Sequence, residues 1–184
     1  MAGFVVQQIG ANVEIRYQDI PLFHGEKARA VMADLGRLHV MLALQAIAGF
    51  VSDKAPIGVS GQLAQSFAGD GAMGGIETFG QTIDNLGGRV FSSLPYAIVV
   101  DQGRTPGARM PPAQALALWV ERKLGIAPDE AGAVAFLIAR SIGKEGIQAT
   151  HFVEAGLRQA QPTIEGIAAS LGEAITAALV GGIV

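Results

Sequence analysis

The period of the apolar residues changes near residue 26, and this change constrains the fold more than any other feature. Residues 13–17 alternate apolar and charged side chains, which is typical of a half-buried strand. Over residues 26–51 the apolar residues recur every three or four positions, which predicts an amphipathic helix of about 25 residues, roughly 38 Å long. The predicted inward stripe is Val31, Leu35, Leu38, Leu42 and Ala46, and the opposite side carries Lys27, Asp34, Arg37 and Gln45.

Short strands are predicted on either side of this helix. Residues 4–7 and 13–17 flank a turn at residues 10–12. Residues 76–83 and 89–93 flank a second cluster of turn residues. Residues 95–100 fit either a strand or a short helix, because periodicity does not separate the two in so short a run.

Three helical segments are predicted to end the chain. Pro112 opens the first, which ends at Gly125. The second spans residues 129–142 and stops at Gly143, and the third spans residues 152–180 and is kinked or interrupted at Pro162. Inward positions of the first two are Leu116, Trp119, Val120, Leu124, Val134, Leu137 and Ile138.

This order of elements predicts an α+β fold rather than a βαβ fold. The N-terminal and central hairpins form a small antiparallel sheet, packed with the long N-terminal helix and the C-terminal helices. We expect one domain over residues 1–184. Its parts are N-terminal strands (1–20), the long helix (26–51), a loop and hairpin region (56–110) and a helical C-terminal part (111–184).

Composition excludes several classes of protein. Half of the residues are hydrophobic and the net charge is −3, so the chain is not disordered. There is no cysteine, which excludes disulfides, a thiol nucleophile and a cysteine–zinc site. The mean hydropathy of +0.39 indicates either a large core or apolar surface that meets something other than water.

A membrane is one candidate for that surface, through residues 166–184. Glu173 near the middle of this tail and its many alanines favour a soluble or interface-packed helix instead. We therefore expect no membrane partner, and a membrane-active protein is the alternative from another functional class.

The sequence offers no constellation for catalysis. His24, His39 and His151 lack metal-ligand spacing, and we expect each to be solvated or to cap a helix. The pair Asp129–Glu130 suits a helix start better than a catalytic dyad. The glycine-rich residues 69–75 predict a mobile loop rather than a phosphate cradle. We expect that the chain is not an enzyme and that it has no catalytic residue, no metal site and no cofactor.

Four short motifs occur in a fixed order along the chain. Ser60-Gly61-x-Leu63-x-x-Ser66 follows the long helix, and Tyr96-Ala97-x-x-x-Asp101-x-Gly103 precedes a loop rich in proline and arginine. A helix start at residues 111–123 and a segment that leads into Phe152 complete the series. The series resembles the tail-completion, or neck, proteins of long-tailed bacteriophages, the lambda Z-like minor tail protein group, over about residues 26–160. The chain differs from the usual family pattern at Ser60 (for Thr), Asp101 (for Glu), Arg104 (for Thr) and His151 (for Pro).

The motif residues also have physical interpretations. Ser60 is predicted to cap a short helix, and Gly103 to permit a sharp turn. Tyr96 is predicted to bury its ring and keep its hydroxyl bonded. Phe152 and Val153 are predicted to dock the last helix on the core.

The resemblance implies a structural virion protein of the neck, used in tail completion and head–tail joining. It implies a homo-oligomeric ring, expected to be hexameric, through which DNA passes without being read. Its partners would be the tail tube or terminator and the head-connector proteins, and it would assemble in the host cytoplasm. A tail terminator or a head-closure protein is the alternative.

The contact residues are predicted in two places. Arg104 and Arg109 lie in the proline- and arginine-rich loop, which is either a solvated rim or a contact with an acidic neighbour or with nucleic-acid backbone. The C-terminal helix is expected to contribute Leu171, Ile175 and Leu179.

Overall fold

A computed structural model describes residues 3–18, 26–58, 60–68 and 73–181 of the chain. Within these residues there are four strands and six α-helices, with a single 3-10 turn at Ile83–Asn85. The strands are β1 (Gly3–Ile9), β2 (Asn12–Gln18), β3 (Gly74–Phe79) and β4 (Gly87–Ser92). The helices are α1 (Glu26–Lys54), α2 (Gln62–Ala68), α3 (Ala97–Gln102), α4 (Gln114–Leu124), α5 (Pro128–Glu145) and α6 (Phe152–Val180).

The four strands form one antiparallel sheet in the order β1-β2-β4-β3. The two predicted hairpins are joined because β2 pairs with β4, with Val13 opposite Val90. Both of these side chains are buried, as is Ile15, so this face of the sheet belongs to the core. The prediction of an α+β fold with both hairpins and a long helix is confirmed.

The chain divides into two compact units, where the sequence led us to expect one domain. Unit 1 comprises Met1–Pro56, Gln62–Leu94 and Phe152–Val184, and it contains the sheet with α1, α2 and α6. Unit 2 comprises Ile57–Gly61 and Pro95–His151, and it contains α3, α4 and α5. The sequence allows either a strand or a short helix at residues 95–100. In the structure, residues 97–100 belong to helix α3.

The predicted inward stripe of α1 is wrong, because this helix is apolar on two sides. Leu38 and Leu42 are 56% and 41% exposed. The buried side is instead formed by Met32, Ala33, Val40, Ala43, Leu44, Ile47, Ala48 and Val51. Four of these eight side chains are alanine or methionine, so the buried side is less prominent in the sequence than the leucine stripe. Small residues nevertheless let other elements of unit 1 approach α1 closely.

His39 is buried within α1, whereas the sequence predicts a solvated or helix-capping side chain. Its side chain is 7% exposed, and its Nδ1 lies 2.7 Å from the carbonyl oxygen of Leu35 in the preceding turn. A hydrogen bond to a backbone carbonyl satisfies the ring within the helix, so this histidine has a structural role.

Helix α1 packs against α6, and Gly156 of α6 lies against the backbone of α1. A Cβ atom at this position would lie 2.7 Å from the Cα and 2.9 Å from the backbone N of Val51. Backbone atoms cannot rotate out of the way, so only glycine permits this helix spacing.

We expect Gly156→Ala to lower the free energy of unfolding by about 1–3 kcal/mol, because the two helices must move apart to admit the methyl group. Gly166→Ala is the matched control in the same helix, since a Cβ there meets nothing within 4 Å. Helix propensity should make this control more stable by about 0.5–1 kcal/mol. Urea denaturation of both variants gives the comparison, and equal shifts would contradict the close approach.

Helix α6 runs without interruption through Pro162, which is exposed within it. The predicted interruption is therefore wrong, and the alternative of a kink at Pro162 stays a prediction. The pyrrolidine ring lies on the solvent side, where the lost backbone hydrogen bond can be replaced by water.

The core of unit 2 is small. One buried cluster consists of Val120, Ala131 and Ala135, with partly buried neighbours that include Leu116, Val134 and Ile138. Ala97 and Ala139 are also buried. Trp119, Leu124 and Leu137, which were predicted to point inward, are instead 40%, 48% and 62% exposed. Alanines and branched aliphatic side chains fill the contact between α4 and α5, and large side chains on the other sides of these helices remain in solvent.

Glycines end both helices of this pair. Gly125 has φ 67° and donates its N–H to the carbonyl of Glu121, which confirms it as the cap of α4. Helix α5 continues past Gly143, so the predicted stop there is wrong. It ends at Gly146, whose φ of 79° leaves the helical region.

The predicted mobile loop at residues 69–75 is only partly within the described residues. Gly74 and Gly75 belong to β3, so this part of the prediction is wrong, and residues 69–72 lie outside the described chain. Among the described helices, the segment Arg29–Lys54 of α1 is long and apolar enough to cross a membrane by length and composition alone. The core helix of a water-soluble protein passes the same test.

Candidate interaction surfaces

The first motif places buried residues in α2. Leu63 and Ser66 are 5% and 1% exposed. The Ser66 hydroxyl donates to the carbonyl of Leu63 at 2.7 Å, and its Oγ lies 2.8 Å from Oγ of Ser92 at the end of β4. Ser66 thus ties α2 to the sheet. The motif residues before α2 lie outside unit 1: Ser60 is exposed, and Gly61 has φ 65°.

The second motif holds the end of unit 2 to α3. Ala97 and Asp101 are buried, and the carbonyl of Asp101 accepts the backbone N–H of His151 at 2.9 Å. The carbonyl of Val100 accepts both the N–H and the hydroxyl of Thr150. These bonds fix residues 150–151 beside α3, immediately before α6 begins.

Gly103 follows α3 with φ 76°, as the predicted sharp turn requires. A Cβ at this position would lie 2.6 Å from the carbonyl oxygen of Ile147. The next residue, Arg104, exchanges two backbone hydrogen bonds with Ile147. The motif therefore needs glycine both for its backbone conformation and for this close contact.

Tyr96 is 42% exposed, so the prediction of a buried ring is wrong. Burial of the remaining part raises the pKa of its hydroxyl above the ordinary value of 10.0. The hydroxyl stays neutral at physiological pH and can act as a hydrogen-bond donor.

The two arginines predicted as contact residues differ in burial. Arg109 is exposed. Arg104 is half-buried, and its Nε is buried with no hydrogen-bond partner among the described residues. Arg109 is therefore the more accessible of the two, and a role for either in contacts stays a prediction.

The predicted contact residues of α6 are largely part of the core. Leu171 and Ile175 are 0% and 8% exposed, because α6 packs its apolar side within unit 1. They are not available to another molecule, which corrects the prediction. The side chain of Leu179 lies outside the described residues. Polar side chains exposed on α6 are Gln161, Thr163, Glu165, Ser170, Glu173 and Thr176.

The start of α6 docks on the core as predicted. Phe152 and Val153 are 2% and 0% exposed. The ring of Phe152 meets that of Phe67 in α2 edge to face, with centroids 5.6 Å apart. This aromatic pair joins the C-terminal helix to α2 within unit 1.

Sequence reasoning allowed for exposed apolar surface but did not place it on α1, α4 and α5. On α1, Val31, Leu35, Leu38 and Leu42 form an outer seam with alternating spacings of four and three residues, and this seam lies opposite the buried side. On α4 and α5, Leu118, Trp119, Phe136 and Leu137 are 40–62% exposed. One feature of the sequence could have located these surfaces. Helices α1, α4 and α5 contain more apolar residues than a single buried side of each helix can hold.

The described residues hold no group of three or more His, Asp or Glu that could bind a metal ion. A cavity of about 370 Å³ in unit 1 is lined by Arg16, Tyr17, Phe79, Gly80, Asp84, Asn85 and Leu86. Its two charged residues already have partners, since Arg16 pairs with Glu14 and Asp84 pairs with Arg29. This cavity presents no unpaired charged side chain to a substrate.

Comparisons with protein-family models, with curated proteins and with solved structures found no match. Function is therefore inferred from the motif residues and surfaces of this chain alone.

Proposed function

We propose that the chain is a structural virion protein of the neck of a long-tailed bacteriophage. It completes the tail and helps to join it to the head. The observation that carries this proposal is the ordered motif series, which resembles that of the tail-completion proteins. Its members include Leu63, Ser66, Tyr96, Ala97, Asp101, Gly103 and Phe152.

The surfaces of the two units support an assembly subunit. Each unit places large apolar side chains in solvent, as with Leu38 of α1 and Trp119 of α4. Clusters of this kind on a folded protein are typical of protein interfaces. A subunit with two different apolar surfaces suits a ring, because a ring requires contacts between unlike patches.

The charge of the chain is consistent with DNA that passes through a ring and is not held there. The net charge is −3, and a strongly basic surface would instead retain nucleic acid by its phosphates. The partners in this proposal are copies of the same chain, expected in a hexameric ring, the tail tube or terminator, and the head-connector proteins. The protein would be made in the host cytoplasm and retained in the virion.

Electron microscopy of gold-labelled protein tests this proposal. The tagged full-length chain is incubated with tails and with capsids from the phage that encodes it. We expect label at the head-proximal end of isolated tails. Label on capsid vertices alone would identify a head-closure protein instead. Label at the distal tip, along the tube, or on neither particle would contradict the proposal.

A further inference from the structure

We infer that four cations of unit 2 form a binding site for the phosphate backbone of double-stranded DNA. This cation cluster consists of Arg104 and Arg109 in the loop after α3, with Arg140 and Lys144 in α5. The choice of DNA as the ligand rests on the proposed function, in which DNA passes through the ring. The inference goes beyond that function by assigning the residues that touch the DNA.

Backbone contacts hold the loop after α3 against the end of α5. Arg104 and Ile147 exchange two backbone hydrogen bonds, of 2.8 and 2.9 Å. The N–H of Gly107 donates to the carbonyl of Gly143 at 2.9 Å. A Cβ atom on Gly143 would lie 3.4 Å from the Cα of Met110. The loop that carries both arginines therefore lies along the end of α5.

The cations of the loop and of α5 are therefore close in space. Arg109 is next to Met110 in the chain, and Lys144 is next to Gly143. Consecutive Cα atoms are about 3.8 Å apart, so the Cα atoms of Arg109 and Lys144 are separated by at most about 13 Å. Arg140 precedes Lys144 by four residues, and such residues are neighbours on one side of a helix. A DNA duplex carries one charge per about 1.7 Å of its axis, so a surface of this size faces several phosphates.

The charge of the cluster is not neutralised by ion pairs. Within the described chain, none of its four members has a carboxylate partner, whereas each arginine of unit 1 has one. Arg109, Arg140 and Lys144 are exposed. Arg104 is half-buried, and its Nε has no hydrogen-bond partner among the described residues. The cluster therefore keeps its positive charge and its donors for an anion.

Most carboxylates of α4 and α5 lie at the other end of these helices. Glu121 is near the end of α4, and Asp129 and Glu130 are in the first turn of α5. Arg140 follows Glu130 by ten residues, which is about 15 Å along the helix axis. Exposed charges at this distance are largely screened at physiological salt, where the Debye length is about 8 Å. These carboxylates therefore do not cancel the charge of the cluster.

Two acidic residues lie near the cluster in the chain. Asp101 is 1% exposed, so its carboxylate does not face an external ligand. Glu145 is exposed and follows Lys144 directly. Consecutive helical residues point about 100° apart, so Glu145 does not share the side of α5 that carries Arg140 and Lys144. Four cations against one exposed carboxylate leave a local charge of +3.

A cluster of this size suits DNA that moves past the protein. The whole chain carries a net charge of −3, so the cluster is a local exception. Three or four phosphate contacts give weak binding that depends steeply on salt. Such contacts break and re-form easily, as the passage of DNA requires.

Fluorescence anisotropy with a labelled DNA duplex, titrated with the full-length chain between about 20 and 200 mM NaCl, tests the site. The cluster variant is Arg140→Gln with Lys144→Gln, and the control is Arg122→Gln with Lys123→Gln at the other end of the helix pair. Both variants remove two charges. Both also remove a cation from the last turn of a helix, so the control matches the effect on the helix dipole. Circular dichroism checks that each variant is folded.

We expect the unchanged chain to bind the duplex at low salt, and the logarithm of its affinity to fall against the logarithm of salt with a slope of about −3 to −4. The cluster variant should bind about tenfold more weakly or worse, with a slope shallower by about two. Arg109→Gln should make the slope shallower by about one. The control should bind within about twofold of the unchanged chain.

Three results would overturn the inference. The first is an unchanged chain that does not bind the duplex at low salt. The second is a cluster variant that binds like the unchanged chain. The third is an equal loss in the cluster variant and the control, because net charge alone would then explain the binding. Flotation of the unchanged chain with phosphatidylglycerol vesicles, without binding to the duplex, would overturn it in favour of a lipid ligand.

Further outcomes separate this inference from the proposed function. If gold label marks the tail end but the chain does not bind the duplex, the inference fails and the neck assignment stands. If only the cluster variants lose DNA binding but no phage particle is labelled, the DNA site stands and the neck assignment fails.

Discussion

Phe152→Ala is expected to lower the free energy of unfolding by about 3–5 kcal/mol, the range for removal of a buried phenylalanine ring. The side chain is 2% exposed, and its edge-to-face partner Phe67 is 1% exposed. Without the ring, a cavity would open where the start of α6 meets α2. The loss therefore combines the transfer free energy of the ring, the cost of the cavity and the contact between the two rings.

Urea denaturation measures this effect, and Phe152→Leu is the control. Leucine keeps most of the apolar volume, so we expect a loss of less than about 1.5 kcal/mol for that variant. A double-mutant cycle with Phe67→Leu should give a coupling energy of about 0.5–1.5 kcal/mol, which isolates the ring contact. A loss below about 1 kcal/mol for Phe152→Ala would show that this ring is not part of the core.

Leu44→Ala should lower the free energy of unfolding by about 2–5 kcal/mol, while Leu42→Ala should lower it by less than about 1 kcal/mol. The two leucines are two residues apart in α1 and lose the same atoms. They differ in burial, since Leu44 is fully buried and Leu42 is 41% exposed. The pair therefore measures which side of α1 faces the core.

Denaturation curves of the two variants at low protein concentration give this comparison without assembly. The opposite order, with Leu42→Ala the more costly, would mean that the leucine stripe predicted from the sequence faces inward after all. It would also mean that the outer seam is not an exposed surface of the folded chain.

The exposed seam explains part of the high apolar content of the chain. Half of the residues are hydrophobic, yet Leu38, Trp119 and Leu137 stay in solvent in the single chain. In a monomer these side chains remain exposed to water. In the proposed ring they would be buried against neighbouring subunits.

Local patterns in the sequence determined the elements and their class. Alternation with a period of two gave β2, and turn residues placed both hairpins. A period of three to four residues gave α1, and Gly125 marked the end of α4. These signals are local, because the conformation of the backbone depends mainly on neighbouring residues and their hydrogen bonds. Together the signals predict an α+β fold.

The tertiary structure alone decided which side of each helix is buried. In α1 both sides are apolar, so hydropathy could not choose between Leu42 and Leu44. The inward side of α1 is the one that carries Ala33, Ala43 and Ala48. It meets α6 closely where Gly156 of α6 lies against Val51. Packing also leaves Trp119 exposed and buries Leu171 and Ile175 in the core. Leu171 and Ile175 therefore cannot belong to the contact surface predicted from the sequence. Burial depends on the shape of partners that are distant in sequence, and no single helix carries that information.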